Sequence, residues 1–265
     1  VSEPKGEGIS LLVPFKSHKG DHRMKVWEWL KAYWESALPG AEIVMGVSES
    51  PMFCKTAAVN YAARRATGDI FVIMDADCYM CEEDVLDAAK LIRESRWPLW
   101  LVPYRRFYRF TEDYTMQILE TNPQDPLSIP YPPSEDLVGN RERAAFGHWF
   151  GALIQMMPRE AFETVGGMDE RFAGWGGEDV SFARALDTLY ARHKTTPNPV
   201  YHLWHSSIGA TYQTRLWVGQ HNPMANDRLS IEYDHTFGDP VKMRKLVDGG
   251  FPRKVFPHLY WDEEQ

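Results

Sequence analysis

Apolar runs and polar breaks divide the first hundred residues into alternating strands and helices. Ile9-Ser10-Leu11-Leu12-Val13-Pro14-Phe15 reads as a buried strand ended by proline. Over Arg23–Ala37, Val26, Trp27, Leu30, Tyr33 and Trp34 fall on one face at helical spacing, and Pro39-Gly40 stops that helix. Glu42–Val47 reads as a second short strand, Cys54–Ala66 as an alanine-rich helix, Asp69–Met74 as a third strand and Glu82–Arg96 as a helix. This alternation predicts an α/β fold with a mostly parallel sheet flanked by helices. Ligands of such sheets bind outside the carboxyl ends of the strands. Pro14-Phe15, Ser48-Glu49 and Asp75-Ala76-Asp77 all sit at such ends.

The second half is less regular. Asn122–Ser134 holds five prolines (Pro123, Pro126, Pro130, Pro132, Pro133) and reads as a loop. Gly151–Met157 and Val200–Trp204 read as strands, Arg159–Val165 and Glu178–Ala191 as helices. After His205 no clean periodicity returns until Pro240–Leu246.

Composition narrows the class. With 265 residues and 44% hydrophobic content, the chain is long enough for one large α/β domain or two small ones. No run approaches the roughly 18 apolar residues that a membrane span needs. The polar start, Val1 to Glu7, lacks the pattern of a secretory leader, and three cysteines (Cys54, Cys78, Cys81) cannot make a full disulfide set. A cytoplasmic protein is the expectation. The Cys78-x-x-Cys81 pair has no second pair to complete a zinc site, which gives it a structural or incidental role. A net charge of −8 opposes non-specific nucleic-acid binding, although Tyr104–Phe110 is locally basic and aromatic. That cluster reads as a strand or loop that packs its aromatics and solvates its arginines.

Two segments carry chemistry. Asp75-Ala76-Asp77 follows an apolar strand, so both carboxylates can face a ligand as the chain bends away from the sheet. Hard divalent cations favour such oxygens together with diphosphate. Gly166–Asp179 (GGMDERFAGWGGED) has five glycines within twelve residues, which implies tight turns or close approach. Trp175 within it offers a flat apolar face for a sugar ring. Glu178 and Asp179 open a helix, where the dipole favours carboxylates.

These segments resemble the G-G-x-D-E-x-F…G-W-G-G-E-D motif of GT-A glycosyltransferases, as found in β-1,4-galactosyltransferases, chondroitin-polymerase-type enzymes of family 2 and, altered, in polypeptide N-acetylgalactosaminyltransferases. The resemblance runs from about Ile9 to His205. Asp75-Ala76-Asp77 matches the D-x-D, Val13-Pro14-Phe15 the element receiving the uracil end of a donor, and Lys55–Ala62 with Asn60 the helix preceding the D-x-D strand. The resemblance implies a GT-A fold and metal-dependent transfer from a nucleotide-sugar, expected to be a UDP-sugar with Mn²⁺ or Mg²⁺. By it, Asp77 binds the metal directly, and Asp75 contacts the ribose or the metal's water shell. Pro14, Phe15, Glu49, Lys55, Asn60 and Ala76 join Asp75 around the nucleotide-sugar. Asp179 is the general base of an inverting reaction, Glu178 holds the acceptor, and Trp175 with Gly176 and Gly177 forms the sugar platform. A third metal ligand is expected at His202 or His205. The i, i+3 spacing on a strand end places the rings on different faces, so one of the two is expected to coordinate, with His202 favoured and His205 open.

The resemblance implies a catalytic domain over 1–205, divided into a nucleotide-sugar half (1–103) and an acceptor half (104–205). Residues 206–265, with Gln213, Arg215, Trp217 and His221, are then a C-terminal extension read as a lid or acceptor surface. The compact, anchorless chain suits a bacterial or phage source. A retaining transferase, a non-catalytic sugar-binding module and an enzyme glycosylating a nucleic-acid base are the rival readings. The acceptor, whether glycan, protein or modified DNA base, is not named by these residues.

Overall fold

The computed structural model describes residues 4–16, 21–48, 53–125, 127–144, 153–174, 176–205 and 223–249. The chain runs β1 (Ile9–Pro14), α1 (His22–Ala37), β2 (Glu42–Gly46), α2 (Lys55–Ala63), β3 (Ile70–Met74), β4 (Cys78–Tyr79) and α3 (Glu82–Glu94). Then follow β5 (Leu101–Val102), β6 (Arg106–Phe110), α4 (Glu112–Leu119), β7 (Val138–Ala144), β8 (Ile154–Pro158), α5 (Arg159–Thr164) and α6 (Glu178–Leu189). The last elements are β9 (Lys194–Thr195), β10 (Pro199–His202), α7 (Pro223–Thr236) and α8 (Pro240–Asp248).

A six-stranded sheet has the order β2-β1-β3-β8-β5-β9. β1 lies parallel to both β2 and β3, so the strand order reverses at β1, and a crevice opens at the carboxyl ends. Every residue of β1 and β3 is buried, which is why β3 reads as a continuous apolar run and β1 as one broken only by Ser10, rather than as alternating strands. β8 runs antiparallel to β3 and β5, which makes the sheet mixed beyond its first three strands. α1 starts where the Asp21 side chain accepts the Arg23 N–H, and buries Val26, Trp27, Trp29, Leu30, Tyr33 and Trp34.

A second sheet has the order β4-β10-β6-β7. Tyr201 of β10 stacks on Phe110 and Tyr108 of β6, with centroids 5.2 and 5.9 Å apart. The basic-aromatic cluster behaves as expected: Tyr104, Tyr108 and Phe110 are buried while Arg105, Arg106 and Arg109 face solvent. The proline-rich 122–134 segment carries no helix or strand among its described residues.

The C-terminal extension does not stand apart where it is described. Leu229, Tyr233, Met243 and Val247 of α7 and α8 belong to the same buried core as the sheet. Burying such side chains is worth about 1.5–3 kcal/mol each, so these helices are packed into the fold. Gln213, Arg215, Trp217 and His221 lie outside the described residues.

Candidate active site

The turn after β3 places the first acids. The Asp75 N–H donates to the Leu153 carbonyl at 2.9 Å, and the Cys78 N–H to the Asp75 carbonyl at 3.1 Å, which bends the chain out of the sheet into β4. Leu153 itself sits at φ 75°, a left-handed conformation that a leucine adopts only under constraint from its surroundings. β4 then pairs antiparallel with β10, setting His202 opposite Cys78 and therefore beside Asp77.

β10 ends at His202, two residues short of the expected limit. The Leu203 N–H turns in to the Asp77 carbonyl (2.8 Å) and the Trp204 N–H to Thr115 Oγ1 (2.8 Å), so the chain doubles back and returns His205 to the same carboxylate. His205 Nε2 lies 3.0 Å and His202 Nε2 3.6 Å from Asp77. The expectation that the spacing turns the two rings to different faces is corrected: strand alternation does not extend past His202, and both imidazoles approach Asp77.

Asp77, His202 and His205 each offer one ligand atom, all within 4.8 Å of one another. One carboxylate oxygen and two imidazole nitrogens form a donor set that fits a divalent transition ion and suits Mn²⁺ better than the harder Mg²⁺. Burial favours the neutral form of His202, which is the form that ligates. Burial also works against the Asp77 carboxylate, but His202, His205 and Arg23 outweigh it and hold that carboxyl well below its ordinary range. Arg23 is a participant the sequence did not flag. Its Nη2 lies 3.7 Å from Asp77, and its Nε donates to His205 Nδ1 at 3.3 Å.

The glycine segment arrives from the other side. Cys54, just before α2, bridges to Gly174, and its thiol donates to the Phe172 carbonyl at 3.0 Å. Gly177 precedes α6 at φ 86°, where an added Cβ would press on Ser230 and Phe172, so glycine is required there. α6 opens with Glu178 and Asp179. The Glu178 carboxylate accepts the Gly176 N–H at 2.9 Å. Burial, then the adjacent Asp179, push Glu178 up to about 7 against the pull of Lys55. Asp179 is likewise raised by burial, with Lys55 opposing.

Lys55 joins the two motifs. Its Nζ lies 2.7 Å from Asp75 Oδ1, 2.8 Å from Asp179 Oδ1 and 3.0 Å from Asp179 Oδ2. Asp75 and Asp179 are thus brought to a single ammonium, although 104 positions apart in sequence.

Other expected residues fall differently. Pro14 is buried at the end of β1, and Phe15 is half-buried with its ring 6.2 Å from Trp27. Ala76 is buried between the acids. Asn60 is corrected from a nucleotide-sugar contact to a structural clamp. It is 0% exposed, and its amide is consumed by the Met168 backbone and by Glu170. Glu49 and Trp175 lie outside the described residues; Gly176 and Gly177, which follow the latter, sit at φ 110° and 86°. A cavity of about 700 Å³ lined by Asp69, Arg96, Trp97 and Tyr190 opens at the opposite end of β3 and includes none of these residues.

Two family models match: glycosyl transferase family 2 over residues 53–154, and the N-terminal domain of galactosyltransferase over residues 141–198. Chondroitin sulfate N-acetylgalactosaminyltransferase 2 from Homo sapiens is 31% identical over 133 residues, covering 48% of this chain and 23% of the relative. The Mus musculus protein of that name is 30% identical over the same length and shares. The chain thus spans about a quarter of these relatives, and their mammalian source lends no support to a bacterial or phage origin. The crystal structure of GalNAc-T7 with UDP, GalNAc and Mn²⁺ aligns at a TM-score of 0.52 and 14% identity, over 91% of this chain and 54% of that one, a likeness of fold. No helix among the described residues is long and apolar enough to cross a membrane. The two matches together take in Lys55, Asp75, Asp77, Glu178 and Asp179, and the fold is that of the GT-A glycosyltransferases.

Proposed function

We propose that the chain transfers a sugar from a UDP-sugar to an acceptor hydroxyl with inversion at the anomeric carbon. The observation that carries this reading is the meeting of Asp75 and Asp179 at Lys55, next to the Asp77–His202–His205 donor set. Asp77, His202 and His205 would hold a divalent ion, with Mn²⁺ favoured over Mg²⁺. When bound, that ion neutralises charge developing on the departing diphosphate.

The chain's own residues supply the rest. Asp179, paired with the Lys55 ammonium and part-buried at the start of α6, accepts the proton of the acceptor hydroxyl. The acceptor oxygen bonds to the anomeric carbon as the carbon–oxygen bond to phosphate breaks, and its electron pair leaves with UDP. Glu178, held by the Gly176 N–H, is placed to orient the acceptor. Trp175 between Gly174 and Gly176 serves as the sugar platform. The GalNAc-T7 structure holds UDP, GalNAc and Mn²⁺ and the matched relatives are N-acetylgalactosaminyltransferases, so UDP-GalNAc is the first donor to test.

The test is a donor screen for Mn²⁺-dependent release of UDP, followed by NMR of the product's anomeric proton. A β-linked product from an α-linked donor is expected. An α-linked product would remove Asp179 as the base, and donor turnover unaffected by chelation would remove the metal assignment.

A further inference from the structure

An ammonium has three N–H donors and no acceptor. Those of Lys55 face three carboxylate oxygens: Asp75 Oδ1 at 2.7 Å, Asp179 Oδ1 at 2.8 Å and Asp179 Oδ2 at 3.0 Å. No donor remains for a diphosphate oxygen, and the side chain is only 9% exposed. The geometry points to Lys55 as a positioning residue for Asp179, locking the base to the donor-side acid Asp75, rather than as a contact of the nucleotide-sugar. This rests on the reading of Asp179 as the base.

The surroundings support a clamp. Lys55 is the first residue of α2, whose start is fixed by the Cys54 thiol on the Phe172 carbonyl and by the bridge from Cys54 to Gly174. The lysine and the loop leading to Asp179 are therefore parts of one local assembly. Asp179 is held from its backbone as well, since Gln155 Nε2 of β8 donates to its carbonyl at 3.4 Å. Three acids, Asp75, Glu178 and Asp179, act on this one cation. Removing it leaves carboxylates that repel one another, and the Asp179 side chain loses the partner that fixes its rotamer. Because Asp75 shares the same ammonium, whatever orders the D-x-D turn on donor binding also orders the base.

The test is a double-mutant cycle on the full chain with donor, Mn²⁺ and acceptor, using Lys55→Met, Asp179→Asn and the pair. Lys55→Met is expected to lower kcat about 10²-fold, in the range that a misplaced general base costs, with the donor KM changed less than about threefold. On the Asp179→Asn background the same change is expected to cost less than about threefold, because Lys55 acts through Asp179. Lys55→Arg keeps a cation against both acids, and is expected to recover about tenfold of the lost kcat. It also serves as the folded comparison if methionine is not tolerated. A donor KM raised about tenfold or more at unchanged kcat, in either variant, would overturn the clamp in favour of a donor contact. Fully multiplying effects in the double variant would overturn it as well. A wild type whose kcat ignores Asp179→Asn overturns the base reading itself. One that depends on Asp179 but not on Lys55 overturns this inference alone.

Discussion

Asn60 holds Met168 by both of its backbone groups: Oδ1 accepts the Met168 N–H at 2.9 Å, and Nδ2 donates to its carbonyl at 2.7 Å. Helix α2 thereby carries the loop that leads to Gly174 and Asp179. Gly167, at φ 89°, packs so closely on Asn60 that a Cβ there would lie 2.6 Å from Oδ1. Asn60→Ala should leave both Met168 groups buried without partners, at a cost of about 1–3 kcal/mol for each group left unpaired. Urea unfolding measures this directly. Unchanged stability would mean that the loop finds other partners.

Metal binding separates the three proposed ligands from their neighbours. Saturation at about 100 times Kd adds about 2.7 kcal/mol to stability, which for a chain of this size raises Tm by about 5–10 °C. The wild type should show such a rise with Mn²⁺. Asp77→Ala, His202→Ala and His205→Ala should each lose it, whereas Lys194→Ala on the exposed edge should keep it. A His205→Ala variant with the full Mn²⁺ shift would leave His202 as the sole imidazole ligand.

Much of this architecture is written locally in the sequence. β1 and β3 are apolar throughout but for Ser10 because both faces are covered, and α1 repeats its apolar face over four turns. Their limits therefore follow within two residues. β4, β5 and β9 have two residues each, too few for any period. Helix α7 escapes because its buried positions with described side chains are only Asn226, Leu229 and Tyr233, one of them polar. The acids of the two motifs and both histidines were legible through the family pattern. Their mutual placement was not. His205 reaches Asp77 because β10 stops early, Lys55 spends its charge on two acids distant in sequence, and Arg23 enters from the first turn of α1. Asn60 shows the converse: its position in a motif was visible, but its burial was not.

Asp169 ties the C-terminal helices to the glycine segment. It is 5% exposed, accepts from the Arg171 guanidinium at 2.6 Å and from the Tyr233 hydroxyl at 2.9 Å, and Arg171 continues to the Leu246 carbonyl at 3.0 Å. Tyr233→Phe removes one bond to a charged acceptor and should cost about 1.5–3 kcal/mol. Because α7 and α8 share the core of the sheet, a chain ended before Pro223 should fail to unfold cooperatively. Denaturation followed by circular dichroism checks both. A truncated chain with native cooperativity would restore the extension to the status of an appendage.

The Glu178 carboxyl makes stability depend on pH in a direction opposite to that of an ordinary ion-paired acid. Burial, then Asp179 beside it, raise it from its usual 4.5 to about 7 in the folded chain. Between those values the folded state keeps a proton that the unfolded state has released. By linkage, stability then falls as pH rises through this window, and the penalty is complete above about 7. At about 1.4 kcal/mol per unit, the effect is bounded at roughly 3 kcal/mol. Glu178→Gln keeps an acceptor for the Gly176 N–H while removing the titration. Urea unfolding of both proteins at pH 5, 6, 7 and 8, with metal chelated, should show the glutamine variant gaining on the wild type steadily from about pH 5 to 7, then holding a constant lead. Parallel curves across that range would mean that the carboxyl titrates alike in both states, and that solvent reaches it despite its 7% exposure.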